Sequence, residues 1–297
     1  MIIYFGKKNL PMLKVKFNYL INKFDCFLFD QWGVLHDGKK KFSFIDKTLN
    51  RLKQKSKYLI ILSNTSQNET EAKRDTLNKL KISNLYFDKV ITCGGYLEYI
   101  AFSRHKKFSK LNKILKLKKC YLISNINKNE VIKNIRLKKT DIKSAKFILA
   151  MSVNPFEKFD KYKQVLDKLF KRKLPMICSN PDKFVFDGKV KKFVLQVGTL
   201  AEYYKKIGGK VLYIGKPYRE IYSYALKNLN LKKKRILMIG DNTQTDIMGA
   251  KKYGIKSALV MDGFNKNEKN NFKNKSLRVI LNSISSKPNY IIKNISV

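Results

Sequence analysis

Residues 27–38 read FLFDQWGVLHDG. An apolar run breaks at an acid, Asp30. Two places on stands Trp32, the only tryptophan in the chain, and then Gly33. With Cys26 in front, the run has the length of a strand and is apolar on every residue, so both of its faces are buried. A carboxylate at the carboxyl end of such a strand stands where open α/β sheets keep their ligands. Its oxygen can attack an electrophile and carry the transferred group covalently.

Working outward, the same strand signature recurs at YLIILSNTS (58–66), KVITC (89–93), KVLYIG (210–215), RILMIGD (235–241) and KSALVMDG (256–263). Helical spacing separates these runs. Ala72, Leu77, Leu80 and Ile82 mark a helix over 69–82, and 218–229 and 246–254 read as two more. Buried strands alternating with helices predict a parallel α/β sheet, Rossmann-like in class. Residues 1–94 and 206–297 are assigned to this core, and 95–205 to an inserted α/β cap. The cap strands fall near 119–124, 146–151 and 175–179, with a helix over 159–173. The stretch 265–276 reads as a polar connection, and PNYIIKNIS closes the chain with a strand-like segment.

Each polar motif sits at a strand end. Ser63 and Asn64 bring a hydroxyl, an amide and loop N–H groups, all donors for an oxyanion. Lys216 adds a cation against developing charge. Asp241 ends one strand and Asp246 opens the next helix. With Asp30 these acids form a hard oxygen site suited to Mg²⁺. A nucleophile, a metal site and positive donors around one group are the parts of phosphoryl transfer.

The chain has 297 residues, 44% of them hydrophobic, enough for a core and more than one domain. Its formal charge is +42, from 64 basic and 22 acidic residues. No segment is a clean basic block or a basic helix with an apolar stripe. The charge is therefore read as solvated lysine spread over the surface, drawing anionic substrates, with no specific nucleic-acid partner expected. Cys26, Cys93, Cys120 and Cys178 form no C-x-x-C pair, and His36 and His105 are the only histidines, which argues against zinc. Scattered thiols, a poor signal sequence and no membrane-length apolar run lead to the expectation of a soluble cytoplasmic protein with no membrane partner.

The motifs taken together resemble the haloacid dehalogenase-like hydrolases, in the subclass with a large α/β cap typified by nucleotide and 4-nitrophenyl phosphatases. The resemblance runs from about Cys26 to the end. It rests on DQWGVLHDG, LSNTS, GKPYREIY and IGDNTQTDIMGAKKYGI in that order, with VITCGGYLEYI, ICSNPD and VGTLAEYYKKIGGKV in support. It implies that Asp30 is the nucleophile and a Mg²⁺ ligand, that the Trp32 backbone carbonyl and Asp241 are further ligands, and that Asp246 acts through water. Ser63, Asn64 and Lys216 would bind phosphate. Asn180, Pro181 and Asp182 would belong to a cap that closes over a small phosphorylated metabolite, and the family's cap-mediated homodimers become an option.

The departure is Trp32. Phosphatases of this superfamily carry a second aspartate there, which protonates the leaving oxygen and then activates water. Such help is worth about 10²–10⁴-fold, and indole cannot give it. Three readings follow: a phosphatase for good leaving groups, with another residue such as Asp37 or His36 handling the proton; a hydrolase of a different bond; or a slow or inactive binder of phosphorylated ligands. By themselves, Asp37–Gly38 is an ordinary turn pair and His36 a packing residue.

Overall fold

The computed structural model describes residues 2–3, 12–125, 130–154, 156–187, 192–262 and 286–297. The polar connection expected at 265–276 lies outside them. The larger sheet contains β1 (Ile2–Ile3), β2 (Met12–Lys14), β3 (Cys26–Phe29), β4 (Tyr58–Ser63), β5 (Lys89–Thr92), β13 (Ile236–Gly240), β14 (Lys256–Val260) and β15 (Tyr290–Ile292). Its order is β1-β2-β15-β14-β13-β3-β4-β5, and every pairing except β1 with β2 is parallel.

Period-two alternation sends Leu28, Ile60 and Met238 into the core on one face. Phe27, Phe29, Leu59, Ile61, Leu237 and Ile239 enter the core on the other. Both layers are apolar, which is why the strands read as unbroken hydrophobic runs. From β3 the chain proceeds to β4 and β5 on one side, while β13, β14 and β15 extend the other. Strand order therefore reverses at β3, and the crevice beyond its carboxyl end is the place such a sheet offers a ligand.

The second sheet contains β6 (Lys119–Ile123), β7 (Lys138–Lys139), β8 (Phe147–Ala150), β9 (Met176–Cys178) and β12 (Val211–Tyr213), in the order β12-β9-β8-β6-β7, all parallel. The sequence placed KVLYIG among the core strands, and the sheet topology corrects this. Val211–Tyr213 pairs with Met176–Cys178 at the edge of the second sheet. It is half-buried rather than fully buried, as an edge strand is. Lys216 thus follows a strand of the second sheet and reaches the first sheet's crevice from above.

The helix Phe159–Lys171, expected over 159–173, buries Leu166 and Leu169. It shares an apolar core with the helix Val197–Lys206. An antiparallel hairpin of β10 (Phe184–Asp187) and β11 (Lys192–Leu195) completes this unit. The two units are stitched at the loop after β4. The Ser66 hydroxyl donates to the carbonyl of Met151, and it lies 3.1 Å from the Ser179 hydroxyl.

Candidate active site

Asp30 leaves β3 with its backbone N–H still donating to the Ile239 carbonyl at 2.9 Å, so the neighbouring strand fixes where its carboxylate starts. The chain then folds tightly. The Gln31 carbonyl accepts the N–H of Leu35 at 2.8 Å, and the Gly33 N–H donates to the His36 carbonyl at 2.8 Å. Gly33 has φ +78°, and a Cβ there would lie 1.8 Å from Asp241 Oδ2. Only glycine both takes this turn and lets Asp241 close against it.

Lys216 is the hub. Its ammonium donates to Asp30 Oδ1 and to Asp246 Oδ1, both at 2.7 Å. Its side chain is 1% exposed, and those of Asp30 and Asp246 are 14% and 0% exposed. Burial works against the charged ammonium, but Asp246, Asp30 and Asp182 outweigh it and hold its pKa well above the ordinary lysine value. Asp246 is held in turn by the Asn242 N–H, which donates to Oδ2 at 3.1 Å.

Carboxylate oxygens of Asp30, Asp241 and Asp246 all lie within 4.8 Å of one another. Three carboxyl groups share one ammonium, and burial together with the neighbouring Asp30 raises the Asp246 pKa to about 7, the mark of a cluster short of positive charge. Hard oxygen donors in that state suit a divalent cation such as Mg²⁺. The residues present therefore fit the metal that the sequence motifs implied.

Asn64 follows β4 with its side-chain amide fully engaged. Its Oδ1 accepts the Lys216 N–H at 2.8 Å, while Nδ2 donates to Asp182 Oδ1 at 3.0 Å and to the Lys216 carbonyl at 3.1 Å. Both ends of the amide are engaged, so it braces the lysine loop and Asp182. Gly215, with φ +121°, permits the approach, because a Cβ there would lie 2.6 Å from Asn64 Oδ1. Ser63 is buried at the end of β4, and its Oγ accepts the Thr65 N–H at 3.3 Å.

These groups open on a cavity of about 290 Å³. Asp30, Trp32, Ser63, Asn64, Asn180, Asp182 and Asp241 all line it, with Gln31, His36 and Thr245 beside them. Trp32 is half-buried, and its ring meets His36 edge-on at 5.4 Å between centroids. Burial pushes the Asp182 carboxyl up to about 6, with Lys216 pulling the other way. Burial pushes His36 down to about 4, and its Nδ1 accepts the Gly38 N–H at 3.1 Å. Asp37 is spent on a turn, accepting the N–H groups of Lys39 and Lys40 at 2.9 and 2.8 Å.

Gln31, Gln67, Asn125, Ser152 and Thr245 line the cavity without having been singled out from the sequence. Thr245 adjoins Asp246 and Gln31 adjoins Asp30, which was the one signal available. The other three enter from loops whose course depends on how the two sheets meet.

Among the described residues, no helix is long and apolar enough to cross a membrane. The four cysteines are free and buried.

Residues 27–138 match the sequence model of the haloacid dehalogenase-like hydrolases, and residues 213–295 match a HAD-hydrolase-like model. A 4-nitrophenylphosphatase of Schizosaccharomyces pombe is 25% identical over 280 residues, covering 85% of this chain and 89% of that protein. Phosphoglycolate phosphatase 1A, chloroplastic, of Arabidopsis thaliana is 25% identical over 257 residues, covering 82% and 70%. Among solved structures, a haloacid dehalogenase-like hydrolase from Brucella suis 1330 superposes with a TM-score of 0.79 at 23% identity, covering 96% of this chain and 100% of that one. A 4-nitrophenylphosphatase from Thermotoga maritima gives 0.67 at 19% identity, covering 93% and 96%.

Proposed function

The chain belongs to the haloacid dehalogenase-like hydrolase superfamily, and from that premise we propose that it is a Mg²⁺-dependent phosphatase of small phosphorylated metabolites. The observation that carries this reading is the convergence of Asp30, Lys216, Asp241 and Asp246 at the strand-order switch, with Lys216 Nζ 2.7 Å from both Asp30 and Asp246.

In this reading Asp30 attacks phosphorus, the ester oxygen leaves, and water then cleaves the aspartyl-phosphate, returning the carboxylate and releasing phosphate. Asp30, Asp241 and the Trp32 carbonyl would hold the divalent ion directly and Asp246 through water. When bound, the ion would offset negative charge on the transferred group. Lys216 orients Asp30 through their 2.7 Å hydrogen bond, and its positive charge lies directly behind the reacting carboxylate. Ser63 adds a hydroxyl at the end of β4. Asn64 fixes the position of Lys216 and Asp182 through its side chain.

Indole at position 32 moves no proton, and the residues beside it do not replace it directly. Asp37 is turned into its own loop, and the His36 nitrogen facing Gly38 is occupied. Of the acids lining the cavity, Asp182 alone stands outside the three-carboxylate cluster. With its pKa lifted to about 6 it exchanges a proton near neutrality. Asp182 is accordingly assigned the leaving-group proton, and substrates with good leaving groups are expected to turn over fastest. The enzyme is expected to work without a nucleic-acid or membrane partner.

The test is hydrolysis of 4-nitrophenyl phosphate and acetyl phosphate with and without Mg²⁺. Chelation should reduce turnover to background, and Asp30→Asn should lower kcat by about 10³-fold or more with the fold intact. Hydrolysis that persists in purified Asp30→Asn protein rules the mechanism out.

A further inference from the structure

Lysine and arginine supply 64 of 297 residues, so a wall of 21 residues drawn at random would carry between four and five. Among the described residues, the cavity wall carries none. What it does carry is seven amide side chains, five hydroxyls and three carboxylates. Lys216 lies behind this wall, saturated by Asp30 and Asp246.

The wall also holds two donors in need of an acceptor. Gln31 and His36 are 4% and 1% exposed, and Gln31 Nε2 and His36 Nε2 are buried without a hydrogen-bond partner. Because His36 Nδ1 accepts the Gly38 N–H, its Nε2 is the nitrogen that carries hydrogen. Both Nε2 atoms are closed off from the cavity, so the hydrogen bonds offered to a bound molecule come from the amides and hydroxyls that line it. Around them, Trp32, Val153, Phe184, Val185 and Val194 give apolar surface, with Phe184, Val185 and Val194 contributed by the β10–β11 hairpin.

We propose that the part of the substrate beyond its phosphate is uncharged and hydroxyl-bearing, and that this wall selects against a second anionic group. The inference rests on the phosphatase reading and narrows it. The reacting phosphate would have the divalent ion to answer its charge, with Lys216 buried behind Asp30. A carboxylate placed against the wall would lose water, meet Asp182 and Asp241, and gain no ammonium or guanidinium in return. A hydroxyl asks only for neutral hydrogen bonds, and amides and hydroxyls outnumber every other polar group on the wall. The volume, about 290 Å³, is at the small end of small-molecule sites, roughly 300–1,000 Å³.

The test uses a matched pair of esters, 2-hydroxyethyl phosphate and 2-phosphoglycolate, which are close in size and differ in that one bears a hydroxyl and the other a carboxylate. Binding is measured by calorimetry on full-length Asp30→Asn protein with Mg²⁺, at 150 mM salt to mute the surface field. Hydrolysis by wild type is measured in parallel. The hydroxylated ester should bind at least tenfold tighter. Gln196→Lys, which brings an ammonium to the wall, should shift the ratio tenfold toward 2-phosphoglycolate. Equal or tighter binding of 2-phosphoglycolate by the starting protein overturns the inference even if both esters are hydrolysed. Selective binding of the hydroxylated ester with no hydrolysis by wild type leaves the inference standing and removes the phosphatase reading. Binding of neither overturns both.

Discussion

On the outer face of the helix Phe159–Lys171, Lys161 meets Glu157 at 2.7 Å, with 69% and 28% of their side chains exposed. In the crevice Lys216 meets Asp30 and Asp246 at the same 2.7 Å, with 1% of its side chain exposed. Lys216 is the one buried lysine or arginine among the described residues. Geometry does not separate the two pairs, but the solvent does. Outside, water and salt screen each charge, and the pair costs as much side-chain entropy as it returns. Inside, a charge left alone has nothing to answer it. A net charge of +42 thus says little about chemistry, and one ammonium among four carboxylates says a great deal.

The largest effect is expected at Lys216. Lys216→Met keeps the volume and removes the charge, leaving Asp30 and Asp246 buried beside each other. Losing one partner of a buried ion pair costs about 3–5 kcal/mol. Urea denaturation of metal-free protein should show that loss together with loss of turnover. A change below about 1 kcal/mol would mean that water reaches this lysine as freely as it reaches Lys161.

Asp182 is a buried charge of the opposite sign. Its pKa rises from 3.8 to about 6 on folding, chiefly through burial. Between those values the folded chain keeps a proton that the unfolded chain has released, so stability falls as pH rises through this window and is level above it. Asp182→Asn removes the term and preserves an oxygen for the Asn64 amide. At pH 7, with chelator present, it should raise stability by roughly 2–3 kcal/mol. The gain should shrink toward zero near pH 4. The same variant should slow turnover, most of all on alkyl phosphates. A variant less stable at pH 7 would show that the carboxylate is already well solvated.

How much of this was legible beforehand follows from the range of the interactions. β3, β4, β13 and β14 could be read because both of their faces are apolar, a property each strand carries in its own residues. Asp30, Ser63, Lys216 and Asp241 could be read because they stand at strand ends. The sheet to which Val211–Tyr213 belongs could not, since an edge strand of the second sheet and a strand of the first have the same local pattern. The brace formed by Asn64 joins residues 64, 182 and 216, and the wall, free of cations among the described residues, is assembled from loops of both sheets. Such features exist only once the chain is folded.

Trp32 gives a smaller effect on the same axis. Trp32→Asp places an acid where the indole faces the cavity. It should raise kcat on an alkyl phosphate about tenfold relative to 4-nitrophenyl phosphate, short of the roughly 10²–10⁴-fold of a well-positioned acid because its surroundings were not built for it. A ratio of the two rates that does not move would mean that proton transfer to the leaving group is already met by Asp182, and that the tryptophan serves packing against His36 and Gly38.

The smallest effect belongs to the exterior. Lys161→Gln with Lys163→Gln removes two cations from an exposed helix face, each paired to an acid four residues away. At 150 mM salt the screening length is about 8 Å, so these charges do not reach the crevice and kcat/KM should stay within about twofold of wild type. At 10 mM salt the length grows to about 30 Å, and the variant should then lose association rate for the dianionic ester while kcat is unchanged. A change in kcat at either salt concentration would contradict the separation drawn here, because it would mean that a surface charge reaches the reacting carboxylate through a structure whose only buried cation is Lys216 among the described residues.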